Sequence, residues 1–500
     1  MSGEAWWQVF WAESGCWWGN FAADPVVQGV PGLAEVVRRN GTRAGQPFLV
    51  RSDGVYPVTV NAFLASARMR GCAEGTRRKY AIQLSIWLGF LDAVGCCWSD
   101  ATADQVGAFK FWRINDERNP CRVTGGTFRG GLVAINAFYE WAERRYGVMN
   151  PVERVAVPVA GGRRQVDSYR AAPRVGRDRD VKWLDPGGFT RWRDVGLCGL
   201  DLSGRELSWW RGRSPQRDCA FVGGLYGTGL RLTEWASMLV LELPFDASDR
   251  AFVTGQLAAA CAKGGVRRKY WMPYPALSAV LSYGEGERAA AVRRAQAVGR
   301  YDGVADRLVV RRQLGGRRIE VVDVLGRSSA VSLDALSPQV RRRLFRETAS
   351  GLEPVALWLN TDGAPRVPHG WQHTFVGANA RVARAGLVGL TATAHMLRHS
   401  FALRWFSVGR LLYEKRFAHL DLEEMRDFRA QFGDTWFFVM TLLGHRSVAT
   451  TMNVYLEPFR DLDVELLIAH AHGAAMSGLL AEMFAAHPLV RTDPVGASQR

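Results

Sequence analysis

Six polar side chains, spread along the chain from residue 231 onward, are of the types that could together work on a phosphodiester. Phosphoryl transfer concentrates negative charge on the equatorial oxygens, and fixed cations and N–H donors stabilise that charge. A phenol hydroxyl can attack phosphorus, but its pKa of about 10 makes it a weak nucleophile unless a base is near. The six side chains are those of Arg231, Lys263, His395, Arg398, His445 and Tyr455.

Two histidine-containing strings set the spacing of four of these residues. In TATAHMLRHSFALRWF, His395 and Arg398 are three positions apart, which predicts that they share one face of a helix. In TLLGHRSVATTMNVYLEP, His445 directly follows Gly444, and Tyr455 comes ten positions later. Because an H-x-x-R spacing alone is common on helix surfaces, the prediction depends on both strings together.

The other two cations lie in glycine-rich contexts. Arg231 follows LYGTGL at the start of an apolar helix, and Lys263 lies in a Gly-Gly turn between two β-prone runs in CAKGGVRRKYWMP. Glu234, one turn after Arg231, could orient an arginine or be an ordinary helix-face acid. Lys269 is the alternative to Lys263, and His399 is interpreted as a core or supporting histidine.

In their order and local contexts, these residues resemble the tyrosine recombinase, or phage integrase, family over roughly residues 56–460. The resemblance implies a helical core-binding domain followed by an α+β catalytic domain. It also implies that DNA strands are cleaved and rejoined through a 3′-phosphotyrosyl bond, with no metal or other cofactor. Two stretches depart from the family pattern, namely a long charged segment between Arg398 and His445 and a strand-rich segment at 300–360.

Each of the six residues receives a role in this chemistry. Arg231 and Arg398 are permanently charged forks that can hold phosphate oxygens, and His445 would donate a further hydrogen bond. Tyr455 would be the nucleophile and His395 its base. Lys263, on its hairpin, would protonate the leaving 5′-oxygen.

The charge balance favours a polyanionic partner. The 500 residues carry a net charge of +16 with a pI near 9.9, which favours nucleic acid or an acidic membrane surface, and a solvated basic face is the alternative. No run of 18 apolar residues and no basic leader is present, and the eight cysteines lack zinc spacing. We therefore expect a cytoplasmic protein without a metal site that binds double-stranded DNA.

The hydrophobic pattern predicts a mainly α fold with a small antiparallel β-sheet. The spacing of apolar residues predicts two helices, TRRKYAIQLSIWLGFLDAVG, capped by Thr76, and TFRGGLVAINAFYEWAERRYG. A hairpin around Gly315-Gly316 is predicted in RLVVRRQLGGRRIEVVDVLG. The predicted parts are a Trp-rich extension (1–55), a helical core-binding domain (56–152), a basic linker (153–182), a catalytic domain (183–460) and an acidic helical tail (461–500). The aromatic side chains of the extension are expected to pack against the next domain, and stacking on bases or on partner proteins is the alternative.

These features together predict a site-specific recombinase or integrase that integrates or excises a mobile genetic element. We expect a homotetramer to join two duplexes, with the tail docking on a neighbouring subunit and with accessory DNA-bending or partner recombinase proteins as possible helpers. Two alternatives remain open at this point. One is DNA relaxation of the type IB topoisomerase kind, and the other is a non-catalytic DNA-binding regulator with the same fold.

Overall fold

The structure, a computed structural model, describes residues 7–12, 45–158, 165–173, 183–244, 251–304, 306–417, 439–440, 443 and 490–491. About half of the described residues are helical, and the sheets that they form are small. The chain divides into two compact units, Met1–Arg179 and Asp180–Arg500. The boundary between them lies inside the stretch predicted as a linker, 153–182.

The first unit is built mainly from helices. In chain order they are α1 (Val58–Leu64), α2 (Ala67–Arg70), α3 (Glu74–Ala93), α4 (Ala103–Ile114) and α5 (Gly125–Tyr146), with a 3-10 turn at Trp98–Asp100. Both helices predicted from the hydrophobic spacing are present. Apolar residues of α5 at three- and four-residue spacing, among them Leu132, Ile135 and Phe138, are all buried.

The predicted cap of α3 is wrong. The helix begins at Glu74 with Ala73 at the N-cap, so Thr76 lies inside the first turn. Its backbone N–H donates to the carbonyl of Ala73. Glu74 favours this earlier start, because an acidic side chain in the first turn is stabilised by the positive end of the helix dipole.

The Trp-rich segment adds two short strands to the helical unit. β1 (Gln8–Trp11) pairs antiparallel with β2 (Pro47–Val50). Trp7 is buried in the same core as α3, and its indole N–H donates to the Asp92 carboxylate at 2.6 Å. The prediction that this segment packs against the next domain is therefore confirmed for Trp7.

Part of the predicted linker is ordered as a hairpin. β3 (Arg154–Pro158) pairs antiparallel with β4 (Gln165–Tyr169) over five residue pairs. This pairing was not predicted, because the many arginines and glycines of the linker obscure the alternating pattern of a strand.

The second unit mixes helices and strands. Its helices are α6 (Pro186–Arg193), α7 (Pro215–Thr228), α8 (Leu232–Ala236), α9 (Tyr274–Tyr283), α10 (Ala289–Ala297), α11 (Pro338–Arg341), α12 (Trp371–Arg384) and α13 (Ala394–Phe417). Single π-helical turns at Asp194–Cys198 and Gly284–Arg288 extend α6 and join α9 to α10, and 3-10 turns lie at Val240–Glu242, Ala259–Cys261, Leu333–Ala335 and Pro368–Gly370.

Its described strands form three separate sheets. They are β5 (Trp183–Leu184) with β13 (Val490–Arg491), β6 (Phe252–Leu257) with β7 (Arg268–Pro273), and a five-stranded sheet of β8 (Leu308–Leu314), β9 (Arg318–Val322), β10 (Ser328–Ser332), β11 (Leu344–Thr348) and β12 (Gly351–Pro354). The predicted hairpin around Gly315-Gly316 is confirmed by the antiparallel pairing of β8 with β9.

The small sheet that was predicted to be antiparallel is mixed, since one of its strand pairs is parallel. The strand order is β10-β9-β8-β11-β12, and β8 pairs with β11 in parallel. A parallel neighbour needs a crossover connection, which β9, β10 and α11 supply here. Side-chain alternation predicts strands but carries no information on their relative direction.

A buried ion pair connects α11, which precedes β11 of this sheet, to the segment that follows α8. The Arg341 guanidinium donates to the Glu242 carboxylate and, at 3.2 Å, to the carbonyl of Ser237 directly after α8. Both side chains are almost completely buried. The sheet and the helix that begins after Arg231 are therefore held as one body.

Three predicted features lie outside the described residues. They are most of the charged segment between Arg398 and His445, the stretch that contains His445 and Tyr455, and the tail 461–500 apart from β13. β13 itself pairs in parallel with β5 of the same chain.

Candidate active site

The site is built at the C-terminal end of α7. The helix ends at Gly229, whose φ of +65° is the left-handed conformation that favours glycine. An added Cβ there would lie 2.3 Å from the ring of Phe401 on α13. This close approach brings the α13 backbone beside the turn that leads into Arg231, which is the N-cap of α8.

Glu234 is the centre of the polar network. Its carboxylate is fully buried and accepts hydrogen bonds from the backbone N–H of Arg231 at 2.9 Å and from the Arg231 guanidinium at 3.0 Å. Arg268 at the start of β7 forms a second ion pair with it at 2.7 Å. The interpretation that Glu234 orients an arginine is thus confirmed, and it orients two.

The Glu234 carboxyl is ionised at neutral pH. Burial by itself raises its pKa, but the charge and hydrogen bonds of Arg268, together with Arg231, lower the pKa to about 2. A permanently ionised carboxylate between two guanidinium groups fixes both of them without any proton exchange. This is the preorganised arrangement that charge stabilisation requires.

Lys263 lies in the turn that joins β6 to β7. Gly264 and Gly265, with φ of +99° and +71°, make the turn possible. The backbone N–H of Lys263 donates to Glu234 at 3.3 Å, and its side chain is exposed. The prediction that this lysine lies in a hairpin turn is confirmed, and the turn is tied to the same carboxylate as Arg231.

Arg398 enters the site from α13. It is 1% exposed, and its guanidinium donates through Nη1 to the carbonyl of Gly229 and through Nη2 to the carbonyl of Leu443 at 2.7 Å. Leu443 comes immediately before the Gly444-His445 string. Arg398 therefore joins the turn that precedes Arg231 to the segment that precedes His445.

His395 lies one turn before Arg398 on the same helix, as its spacing predicted. Desolvation lowers its pKa, and so do the charges of Arg398, Arg231 and Lys263. The electrostatic effect of all three cations on one imidazole places the four side chains in one neighbourhood. The lowered pKa keeps His395 neutral at physiological pH, the state in which a histidine can accept a proton.

His399 packs between His395 and Trp183. Its ring is fully buried, with the His395 ring 4.3 Å away centre to centre and the Trp183 ring on β5 5.9 Å away, both edge to face. The interpretation of His399 as a core histidine is confirmed. It packs His395 against the first strand of the unit.

The structure therefore brings together four of the six predicted residues, namely Arg231, Lys263, His395 and Arg398. The other two, His445 and Tyr455, lie outside the described residues. The neighbouring lysine of the hairpin, Lys269, is not among the charges that lower the pKa of His395.

Arg268 is a member of the site that the sequence analysis missed. Its side chain is 13% exposed and bound to Glu234. The only signal was the basic run RRK beside the Gly-Gly turn. The register places Arg268 opposite Leu257 at the turn end of the hairpin, and its contact with Glu234 depends on the tertiary fold.

This arrangement can hold an anion but offers no metal site in the described ranges. Four cations (Arg231, Lys263, Arg268 and Arg398) and an imidazole lie near the end of α7, and Arg231 keeps 23% of its side chain exposed. Among the residues that the structure describes, no group of three or more His, Cys, Asp or Glu side chains is placed to bind a metal ion. In the same part of the chain, no helix has the length and apolar character that a membrane span requires.

The solved structures described below are distant matches to this chain. No protein-family model matches the sequence, and no curated protein matches it. The structure is similar to XerH site-specific recombinase bound to palindromic difH substrate in a post-cleavage complex, with a TM-score of 0.44, 12% identity and coverage of 84% of this chain and 87% of that chain. The pre-cleavage XerH complex gives a TM-score of 0.41 at 12% identity, covering 81% of this chain and 84% of that one. The structure of XerA recombinase gives a TM-score of 0.27 at 15% identity, covering 86% of this chain and 98% of that one.

Proposed function

We propose that the chain is a DNA strand transferase of the tyrosine-recombinase type, in which Tyr455 attacks a backbone phosphate held by Arg231 and Arg398. One observation carries the proposal. Arg231, Arg398 and Lys263, which come from three separate elements, all act electrostatically on the imidazole of His395. Such a cluster of cations around a neutral base suits phosphoryl transfer to a protein hydroxyl.

In the proposed reaction, the Tyr455 oxygen forms a bond to phosphorus and the bond to the 5′-oxygen breaks. His395 takes the phenol proton, and Lys263 gives a proton to the leaving 5′-oxygen. Arg231, Arg398 and His445 hold the charge that develops on the phosphate oxygens. The phosphotyrosine bond retains the energy for rejoining, so a 5′-hydroxyl can reverse the step without a nucleotide cofactor.

The test is capture of the covalent intermediate on DNA that flanks the gene. Nicked duplex fragments from this region lose the short piece with the free 5′-hydroxyl after cleavage, so the adduct accumulates and is seen on a denaturing gel. We expect the adduct with the wild-type chain and with Tyr413→Phe, and none with Tyr455→Phe. An adduct that persists in Tyr455→Phe contradicts the proposal.

A non-catalytic DNA-binding protein is the second candidate, and the burial of Arg398 favours it. At 1% exposure, with two N–H groups committed to backbone carbonyls, this guanidinium has few donors left for a phosphate. Saturable binding of the same fragments without any adduct would support this candidate.

The proposal includes strand exchange between two specific sites, carried out by a tetramer and used to integrate or excise a mobile genetic element. Joining of two plasmids that carry the flanking repeats would support it. Relaxation of supercoiled plasmid without joined products would instead indicate an activity of the type IB topoisomerase kind.

A further inference from the structure

A second cationic site lies at the opposite end of α7 from the candidate active site. A cavity of about 150 Å³ opens there between the start of α7, the end of α9, α10 and residues 359–361. Because 14 residues of α-helix span about 21 Å, the cavity and Gly229 are separated by roughly that distance. The cavity is smaller than the pockets of about 300–1,000 Å³ that enclose drug-sized ligands.

The charges that line this cavity are unbalanced. Three arginines (Arg213, Arg217 and Arg294) face one acid, Glu287. Arg217 is neutralised, since it is paired with Asp218 at 2.8 Å and donates to the carbonyl of Leu359. Within the described part of the chain, neither Arg213 nor Arg294 forms an ion pair, and both are exposed.

The hydrogen-bond acceptors that line the cavity already accept from donors of the protein. The two oxygens of Glu287 accept the backbone N–H groups of Gln216 and Arg217 at 3.0 and 3.1 Å, which caps the start of α7. The side-chain oxygen of Asn360 accepts from Arg366, and the carbonyl of Thr361 accepts from Arg294. A ligand in the cavity would therefore meet few acceptors that are not already engaged.

Hydrogen-bond donors, in contrast, are still available in the cavity. The Tyr283 oxygen accepts from the N–H of Leu359 at 3.0 Å, which leaves its own proton to donate. Desolvation raises the pKa of Tyr283 to about 12, so this hydroxyl keeps its proton at neutral pH. The Asn360 amide has N–H groups besides its occupied oxygen. Two guanidinium groups, a hydroxyl and an amide match a small ligand that offers only acceptors.

We propose that this cavity is a binding site for a phosphate group, held by Arg213 and Arg294 at its mouth and by Tyr283 and Asn360 inside. Tetrahedral phosphate offers several acceptor oxygens and a charge that complements the two unpaired guanidinium groups. The group can belong to a free phosphorylated small molecule or to a nucleic-acid backbone. The proposal does not depend on strand transfer, because no residue of the candidate active site contributes to the cavity.

The experiment is a titration of the full chain with inorganic phosphate and pyrophosphate, compared with chloride at equal ionic strength and followed by calorimetry. The test variant is Arg213→Gln/Arg294→Gln. The control, Arg211→Gln/Arg293→Gln, removes two exposed charges next to them in the sequence. We expect saturable binding in the wild type and the control, and at least a tenfold weaker affinity in the test variant, which corresponds to about 1.4 kcal/mol.

Binding to duplex DNA then identifies the source of the phosphate. If it belongs to nucleic acid, the test variant lowers duplex affinity relative to the control and reduces the salt-dependence slope by about 1. If it belongs to a small molecule, the two variants bind DNA equally while only the test variant loses phosphate. A wild-type response to phosphate no greater than to chloride, or equal phosphate affinity in the two variants, overturns the proposal.

Discussion

The guanidinium of Arg398 donates directly to the carbonyl oxygen of Gly229, two positions before Arg231. The separation between the two candidate phosphate-binding arginines is therefore set by one hydrogen bond between α13 and the turn after α7. The other arm of the same guanidinium holds Leu443. The geometry of the site depends on the fork shape of Arg398 as much as on its charge.

We predict that Arg398→Lys loses activity although it keeps the positive charge. A lysine ammonium cannot reproduce the fork that bridges the carbonyls of Gly229 and Leu443. Removal of one fixed donor from a charge-stabilising site typically costs about 100- to 1,000-fold in rate. Single-turnover formation of the DNA adduct measures the loss. Arg404→Lys on the same helix, where the arginine stacks on Tyr226, should lose much less, and a similar loss in both variants would contradict the prediction.

Gly229→Ala should destabilise the second unit more than an ordinary helix-end glycine substitution does. The left-handed conformation costs a non-glycine residue about 1–2 kcal/mol, and the new Cβ would also overlap the Phe401 ring. Gly147→Ala is the matched control, since Gly147 ends α5 with φ of +70° and has open space around it. Denaturant unfolding of both variants measures the free energies. Equal losses would show that Phe401 moves aside at no cost.

Glu234→Gln should lower the free energy of unfolding by about 3–5 kcal/mol, because it leaves two partly buried guanidinium groups without their counter-ion. Glu347→Gln removes an exposed partner of Arg311 and should cost less than about 1 kcal/mol. Urea unfolding curves of the two variants compare the costs. If Glu234→Gln unfolds like the wild type, the carboxylate does not organise the site.

The Glu234 network also predicts how stability depends on acid. The pKa of this carboxyl is about 2 in the folded chain and about 4.3 when unfolded, so the unfolded state binds the extra proton first. The stabilisation, about 3 kcal/mol, is complete above pH 4.3 and is lost as the pH falls towards 2. The difference in unfolding free energy between the wild type and Glu234→Gln should therefore shrink over this interval. A difference that stays constant with pH would argue against an ionised Glu234.

The imidazole of His395 should titrate below its ordinary pKa of 6.5, because burial and three nearby cations oppose its protonation. Carbon-detected NMR of labelled histidines, assigned with His395→Asn, measures this pKa. Lys263→Gln removes one of the cations and should raise the pKa, whereas Lys269→Gln should raise it less. A pKa at or above 6.5 would contradict the prediction and weaken the role of His395 as a base.

Local features of the site could be predicted from the sequence. The H-x-x-R spacing placed His395 and Arg398 on one helix, and the Gly-Gly pair placed Lys263 in a hairpin turn, because both depend on residues within a few positions of each other. The pairing of Arg268 with Glu234 could not be predicted, since it joins residues 34 positions apart on different elements. For the same reason, the parallel pairing of β8 with β11 was missed.

The pairing of β13 with β5 affects how the chain can fold during synthesis. Trp183 and Leu184 leave the ribosome more than 300 residues before the partner strand at Val490 is made. Until then, β5 presents an open edge beside the helix that carries Arg398, to which it is held by the Leu184 N–H bond to Ser400. Premature termination would leave Trp183 and Leu184 without this partner, so a truncated product is expected to be less stable even when every residue of the hairpin and of α13 is present.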